Sequence, residues 1–572
     1  MNKILNYVLV SLLALTIGGC ALFGIHLHVH NPKKPGKYKI SKNDELLGEL
    51  NELKKCYDVK FYDISIQLFP HNKSIKGKVE MKSLATTDFS KFEIDLHQNL
   101  KINSITVDGK NVEFKRNESA VYVTLSEAIK SGNKFSVVVN YAGKPLIAKR
   151  PPWAGGTVWK TDNNKKPWLG VACEGLKNGS SIWFPSKDHS SDEPDSFAIA
   201  ITTPRGLVGV SNGLLEKVDS ATIADSTIWH WKNHYAINNY NITYYVGDFK
   251  LIKDSMDCLE GKLMFNHYVL SYNYNKAKEH FEQVKKIISF YEKTFGAYPW
   301  MKDGFKLVES PFAGMEHQSA IAYGNGYKNG DHNTDYIILH ETAHEWWGNS
   351  VSAADLAHGW LHEGFATYCE SLFYEEIAGK SAYETDLSYK FMYIKNKRPV
   401  VGPMNKRWFY YKDGDIYMKG TWILATLRTV INNDKIFFDI LKTFYQENER
   451  SVILSDKFQE LVERKTATDY DWFFNQYLYN RKTPILEYYK DYDGYLYYRW
   501  TQCNDDFKLN IKVSPTFQYN DAVRNWMKIS PSTSEIKKSK LLINGYYLYF
   551  DADLKLYGTK ENKKLPQLMK NK

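Results

Sequence analysis

The stretch YIILHETAHEWWGN, Tyr336 to Asn349, sets His340 and His344 four residues apart, with Glu341 directly after the first. On an α-helix, residues i and i+4 share a face, so both imidazoles can be offered to one metal ion. Glu341 projects about 100° away around the helix axis. It would stand beside such an ion, where a carboxylate can take a proton from bound water. That is metal-assisted hydrolytic chemistry. The competing reading is a pair of hydrogen-bonded histidines buried on an ordinary amphipathic helix. Glu363, nineteen residues beyond His344, opens a second predicted helix, GWLHEGFATYCESLFYEEIAG. Two histidines and one carboxylate leave the fourth position of a zinc ion open for water. Glu370, seven residues further and on the face of Glu363, is placed to orient a ligand histidine.

These residues need a scaffold, and a chain of 572 residues is too long for one core. From Tyr57, short alternating runs such as VKFYDISIQLF, SIKGKVEMKSLA and KFSVVVNYAG are broken by DG and SGN turns, which predicts antiparallel strands. NKAKEHFEQVKKIISFYEKTFG then carries Phe281, Val284, Ile287, Ile288 and Tyr291 at helical spacing, closed by Gly296. Helices dominate to about Tyr479, and Asn333, Thr334 or Asp335 can cap the helix that carries the motif. Alternation returns in YLYYRW, FKLNIKV and LLINGYYLYF. The expected fold is multidomain with mixed α and β. An all-β domain spans 46–250, a mostly helical catalytic domain 251–482 and a small β domain 483–572.

His-Glu-x-x-His, eighteen intervening residues and then Glu in a Trp-Leu-x-Glu-Gly setting resembles the gluzincin metallopeptidases of the aminopeptidase N family. PFAGMEHQSAIAYGN, Pro311 to Asn325, resembles that family's Gly-x-Met-Glu-Asn exopeptidase strand, with Glu316 at the glutamate position. DIYMKGTWIL resembles its Tyr-x-Lys-Gly segment, with Tyr417 as the catalytic tyrosine. The stretch from ACEGLKNG to GVSNG resembles the end of its β domain, with Glu174 where a Gln or Glu helps to bind the substrate amine. The likeness runs from about residue 56 to the end with the motifs in order.

The resemblance implies a thermolysin-like catalytic domain with one zinc ion per chain on His340, His344 and Glu363. It implies Glu341 as general base and then general acid, and Tyr417 as a donor to the developing oxyanion. Glu316 and Glu174 would bind the free amino terminus of a peptide, and the strand of Glu316 would pair with the substrate backbone. Two rivals stand beside this aminopeptidase reading: an epoxide hydrolase with side aminopeptidase activity, and a catalytically silent peptide-binding protein on the same scaffold. The sequence departs from the family at Ala313 (a glycine) and His317 (an asparagine), and the family's long helical C-terminal domain is expected to be missing.

The formal net charge of +10, from 75 basic and 65 acidic residues, is mild, and no Lys/Arg cluster marks a nucleic-acid groove. MNKILNYVLVSLLALTIGGC has Lys3 near its start and an apolar run from Tyr7 to Ile17. Crossing a bilayer takes about 20 apolar residues, so the run has the layout of a secretory signal instead. Ile17-Gly18-Gly19-Cys20 resembles a bacterial lipoprotein signal, which implies a lipidated Cys20 and membrane attachment at the outer membrane or periplasmic face of a bacterial envelope. Residues 1–20 would then be the signal, and 21–45 a mobile tether containing His26, His28 and His30. Cys56, Cys173, Cys258, Cys369 and Cys503 show no Cys-x-x-Cys pair, so neither a cysteine metal site nor a dense disulfide framework is indicated, and one or two bridges stay open.

Overall fold

The computed structural model describes residues 40–173, 179–220, 225–407, 413–515, 526–541, 548–550 and 555–570. The expected signal, Cys20 and the three tether histidines lie outside them. The tether expected to reach residue 45 gives way earlier to α1 (Lys42–Gly48), where Ser41 and Asp44 form a reciprocal capping box. A short helix α2 (Glu52–Lys55) follows.

Alternating apolar residues build the β region. In the strand Tyr57–Phe69, Val59, Tyr62, Ile64, Ile66 and Leu68 turn inward. That strand pairs in antiparallel fashion with Ser74–Ala85 and in parallel with Ser196–Pro204, at the centre of an eight-stranded sheet. Smaller sheets of four and three strands share its core.

A five-stranded sheet follows, ordered Phe249–Cys258, Gly261–Leu270, Leu307–Glu309, Ile321–Tyr323 and Gly314–Met315. Among the described residues, the strand with the exopeptidase-like sequence is thus an edge, paired on its Ile321–Tyr323 side alone. Against the sheet pack α3 (Gln283–Thr294) and α4 (Tyr336–Ala343). Behind them come α5 (Trp360–Ala378), α6 (Lys380–Phe391), α7 (Asp415–Ile431), α8 (Asp434–Asn448) and α9 (Ser455–Thr466). The C-terminal strands form sheets of four and three strands. Their inward residues Leu486, Leu496, Trp500, Ile511 and Val513 belong to the same apolar cluster as the catalytic helices. No disulfide joins the described cysteines.

A buried chain of charges stitches the β region to the helices. Lys54 of α2 lies 3.4 Å from Glu93 and 3.1 Å from Asp95, all three fully buried. Asp95 accepts the amide of Asp188 at 3.0 Å, and Asp188 accepts the Arg407 guanidinium at 2.7 Å. Burial pushes the Asp188 carboxyl up, but Arg407 and the two Ser181 donors together keep it below its ordinary range. A fully buried charge is tolerated only when paired in this way.

The crossing of α5 and α7 is set by two glycines. A Cβ added at Gly420 would lie 2.8 Å from the Gly364 Cα, and one at Gly364 would lie 3.0 Å from the Gly420 Cα. The helices touch backbone to backbone, and this brings Tyr417 against Glu363. Gly420→Ala is expected to lower the unfolding free energy by roughly 1–3 kcal/mol, the usual cost of overpacking, in a urea titration. An unchanged midpoint would mean that the helices can part without strain.

Candidate metal centre

Helix α4 presents the two histidines. Asp335 is its N-cap and accepts the amides of Ile337 and Ile338. The same carboxylate accepts the Tyr323 hydroxyl at 2.7 Å, the His280 Nε2 proton at 2.8 Å and the Asn325 amide at 2.8 Å. Five donors converge on one buried side chain, which fixes where the helix begins and how it is rotated. His344 is its C-cap residue, still in the helical region of backbone space.

The tautomers of both histidines follow from their neighbours. His340 Nδ1 lies 2.7 Å from Glu370 Oε1, and His344 Nδ1 lies 2.8 Å from the carbonyl oxygen of Trp347. A carbonyl or ionised carboxylate only accepts, so both Nδ1 atoms carry the proton and both Nε2 atoms present a lone pair. Those two Nε2 atoms face each other at 3.1 Å. Glu363 Oε2 completes a triangle, 3.4 Å from the first and 3.3 Å from the second. Three lone pairs aimed at one point repel unless a cation stands there. Tetrahedral zinc bonds of about 2.0–2.1 Å subtend edges of about 3.3–3.4 Å. The donor set and its spacing therefore fit a tetrahedral metal.

The electrostatics agree. Burial disfavours a charged His344, yet Glu316 and Glu363 outweigh it and hold the imidazole up at about 9. His340 is likewise raised against its burial by Glu363 and Glu370. Glu363 is kept well below the ordinary carboxylate range by the two imidazoles, again against burial. The pocket favours positive charge at the centre of the triangle.

Glu341 stands beside the triangle and is not one of its corners. Burial pushes its carboxyl up to about 8, although both imidazoles pull the other way. The edge strand crosses directly over it: a Cβ on Gly314 would sit 2.2 Å from Glu341 Oε1. Carboxylate oxygens of Glu316 and Glu341 and a ring nitrogen of His344 lie within 4.8 Å of one another. His344 has only one unprotonated nitrogen, so this second trio shares a donor with the first and is no independent site. Tyr417 lies across the metal triangle, its hydroxyl donating to Glu363 Oε1 at 2.7 Å and its ring stacked on His340.

The structure thus brings together His340, His344, Glu363, Glu341, Glu370, Tyr417 and Glu316. Glu174 lies outside the described residues. The two departures have plain consequences. The Ala313 carbonyl accepts the amide of Gly324 and so extends the pairing of the edge strand by one rung. His317 is buried, with Nδ1 2.5 Å from the Tyr245 hydroxyl, and burial lowers it to about 3.

Several supporting residues were not anticipated from the sequence. Tyr240 donates its hydroxyl to Glu316 Oε1 at 3.1 Å, and Asn349 donates to the Glu316 carbonyl at 2.8 Å. Asn238 donates to the Gly348 carbonyl, and Asn241 to Asn349. The available signal was the polar run Asn238-Asn239-Tyr240-Asn241, all four residues of which are buried.

Residues 279–477 match the Peptidase family M1 domain. The chain is 24% identical over 295 residues to leucine aminopeptidase 2-1 of Meyerozyma guilliermondii, a match covering 48% of this chain and 44% of that protein. It is 20% identical over 468 residues to aminopeptidase N of Lactobacillus helveticus, covering 77% of this chain and 53% of the relative. The chain spans about half the length of these curated relatives, or less. Its fold resembles a glutamate-to-alanine variant of the M1 zinc metallopeptidase of Deinococcus radiodurans, with a TM-score of 0.62 and 18% identity, covering 75% of this chain and 95% of the other. The same enzyme with a bound Tyr-Ser-Ala substrate aligns with a TM-score of 0.61. Fold and motif order together resemble the aminopeptidase N type of metallopeptidase scaffold. Residues 279–477 form a peptidase family M1 domain.

Asp335→Ala removes the cap of α4 and strands the donors of His280 and Tyr323. The expected cost is roughly 2–4 kcal/mol of unfolding free energy, read by chemical denaturation. A loss too small to resolve would mean that α4 is held by packing alone.

Proposed function

We propose that the chain is a zinc-dependent aminopeptidase that removes the N-terminal residue from peptides. The observation that carries this reading is the convergence of His340 Nε2, His344 Nε2 and Glu363 Oε2 with both Nδ1 protons committed elsewhere. The named relatives are aminopeptidases, and the Deinococcus neighbour is a zinc metallopeptidase with a tripeptide complex.

A zinc ion held by these residues supplies a Lewis acid for the scissile carbonyl and acidifies the attacking water. Glu341 then accepts that water's proton on its carboxylate and delivers it to the departing amine. Its burial and raised proton affinity suit a group that must hold a proton between the two events. The Tyr417 hydroxyl, beside Glu363, is within reach of the oxygen where negative charge develops. Glu316 closes the other end. A peptide's α-ammonium entering this buried space needs an anionic partner, because a desolvated charge without one costs several kcal/mol. The open edge of Gly314–Met315 offers backbone groups to an extended peptide.

Purified protein should contain one zinc per chain and hydrolyse aminoacyl p-nitroanilides, while N-acetylated versions stay intact. Glu341→Gln should keep the metal and lower kcat by about 10²–10⁴. Efficient cleavage of the acetylated substrates would overturn the exopeptidase reading, and retained turnover in Glu341→Gln would remove that residue from the chemistry.

The sequence of the first 20 residues supports a further part of the reading, that acyl chains on Cys20 hold the enzyme at a bacterial envelope membrane. Each buried methylene would contribute about 0.8 kcal/mol. No helix among the described residues is long and apolar enough to cross a membrane. Globomycin treatment or Cys20→Ala should shift the protein out of the membrane fraction, and unchanged fractionation would refute lipidation.

A further inference from the structure

Behind the metal triangle lies a line of buried, alternating charges that ends on a residue outside every motif of the chain. His340 Nδ1 donates to Glu370 Oε1 at 2.7 Å. The other oxygen of the same carboxylate, Oε2, lies 3.0 Å from the Nζ of Lys390 on α6. Lys390 is 4% exposed. Its ammonium also reaches Asp386 Oδ2 at 2.5 Å, Ser371 Oγ at 3.1 Å and the Thr367 carbonyl at 3.1 Å. Ser371 in turn donates its hydroxyl proton to Asp386 Oδ2 at 2.5 Å. Each of these donors is committed to an acceptor, so the ammonium cannot swing away without stranding a buried group.

From this geometry we infer that Lys390 is a positioning residue for the metal centre. It clamps the far oxygen of Glu370, keeps the near oxygen on His340 Nδ1, and so sets how tightly His340, His344 and Glu363 hold zinc.

The physical reason is orientational. A metal-bound imidazole is useful only in one tautomer and one ring plane, and a carboxylate on its other nitrogen fixes both. Tied at one oxygen only, the Glu370 carboxylate would be free to turn about its terminal torsion, which is broad for glutamate. Tied at both, it is a rigid plate between α5 and α6. Lys390 faces two carboxylates: Glu370, which serves the metal site, and Asp386, which does not. If Lys390 served only to join α5 to α6, the contacts with Ser371 Oγ and the Thr367 carbonyl of α5 would suffice. The contact with Glu370 is the one that reaches the site.

This inference rests on the proposal that the site holds zinc, and the test separates the two. Zinc affinity of the full chain is measured by competition with a chromophoric chelator, alongside the thermal midpoint of the zinc-free protein. Lys390→Met should bind zinc 10- to 100-fold more weakly, the usual effect of losing a partner behind a ligand, and Lys390→Arg should recover part of that loss. Tyr383→Phe provides the comparison. It removes the hydroxyl contact of 2.9 Å between Tyr368 of α5 and Tyr383 of α6, so it loosens the same helix pair without touching Glu370. It should lower the midpoint and leave zinc affinity unchanged. Equal zinc affinity in Lys390→Met and wild type overturns the inference, as does an equal loss in Tyr383→Phe. Wild-type protein that binds no zinc overturns the proposed function instead. Should Lys390→Met not fold, Lys390→Gln takes its place, with the same direction expected.

Discussion

Everything in the catalytic half depends on three lone pairs held within 3.1–3.4 Å of one another. Left to themselves, two neutral imidazoles and a carboxylate would turn apart or pick up protons. The fold prevents the first by committing each Nδ1 proton to an acceptor that cannot move. For His344 that acceptor is a backbone carbonyl three residues on, and for His340 it is a carboxylate on the next helix. The strain of this arrangement is what makes the centre a receptor for a cation, since a divalent ion relieves all three repulsions together.

That constraint explains otherwise arbitrary features of the surrounding helices. The Asp335 cap sets the rotation of α4, and hence the direction of both rings. The Gly364–Gly420 contact sets the separation of α5 and α7, so that Glu363 meets the histidines on one side and Tyr417 on the other. In Trp-Leu-x-Glu-Gly and Tyr-x-Lys-Gly, the glycines are thus the means by which the glutamate and the tyrosine come into contact. The lysine of the second motif, Lys419, is buried and donates to the Asn480 carbonyl away from the metal, so its place in the pattern is architectural.

Much of the centre was legible in the sequence because its spacing is local. His340, Glu341 and His344 lie within two turns of one helix, and Glu363 and Glu370 share a face of the next. What could not be read is what the third dimension supplies. Tyr240 reaches Glu316 across 76 residues of sequence, and Lys390 reaches Glu370 from a separate helix, with no spacing rule linking either pair. The expected tether runs on to residue 45 because the charged residues of Lys42–Gly48 mask a seven-residue helix whose apolar side is short. The C-terminal strands look independent by pattern, yet their apolar faces complete the core of the catalytic helices. Periodicity reports which face of an element is buried and is silent on the partner that buries it.

The contact between Tyr240 and Glu316 shows why the β region is part of the site. An aminopeptidase must distinguish a terminal ammonium from an internal peptide bond, and the cheapest discriminator is a carboxylate in a closed, poorly hydrated end. Such a carboxylate is raised by its own burial and would tend to take up a proton. A hydroxyl donated from the β region opposes this by bonding its ionised form, and Asn349 fixes the backbone from which it projects. The asparagine run that carries Tyr240 is bonded to the turn after α4 through Gly348 and Asn349. One rigid interface therefore positions the floor of the substrate end and the end of the metal helix together. In the proposed reaction, the distance between a bound ammonium and the metal triangle would be fixed by the packing of two regions, and this distance would limit cleavage to the first peptide bond.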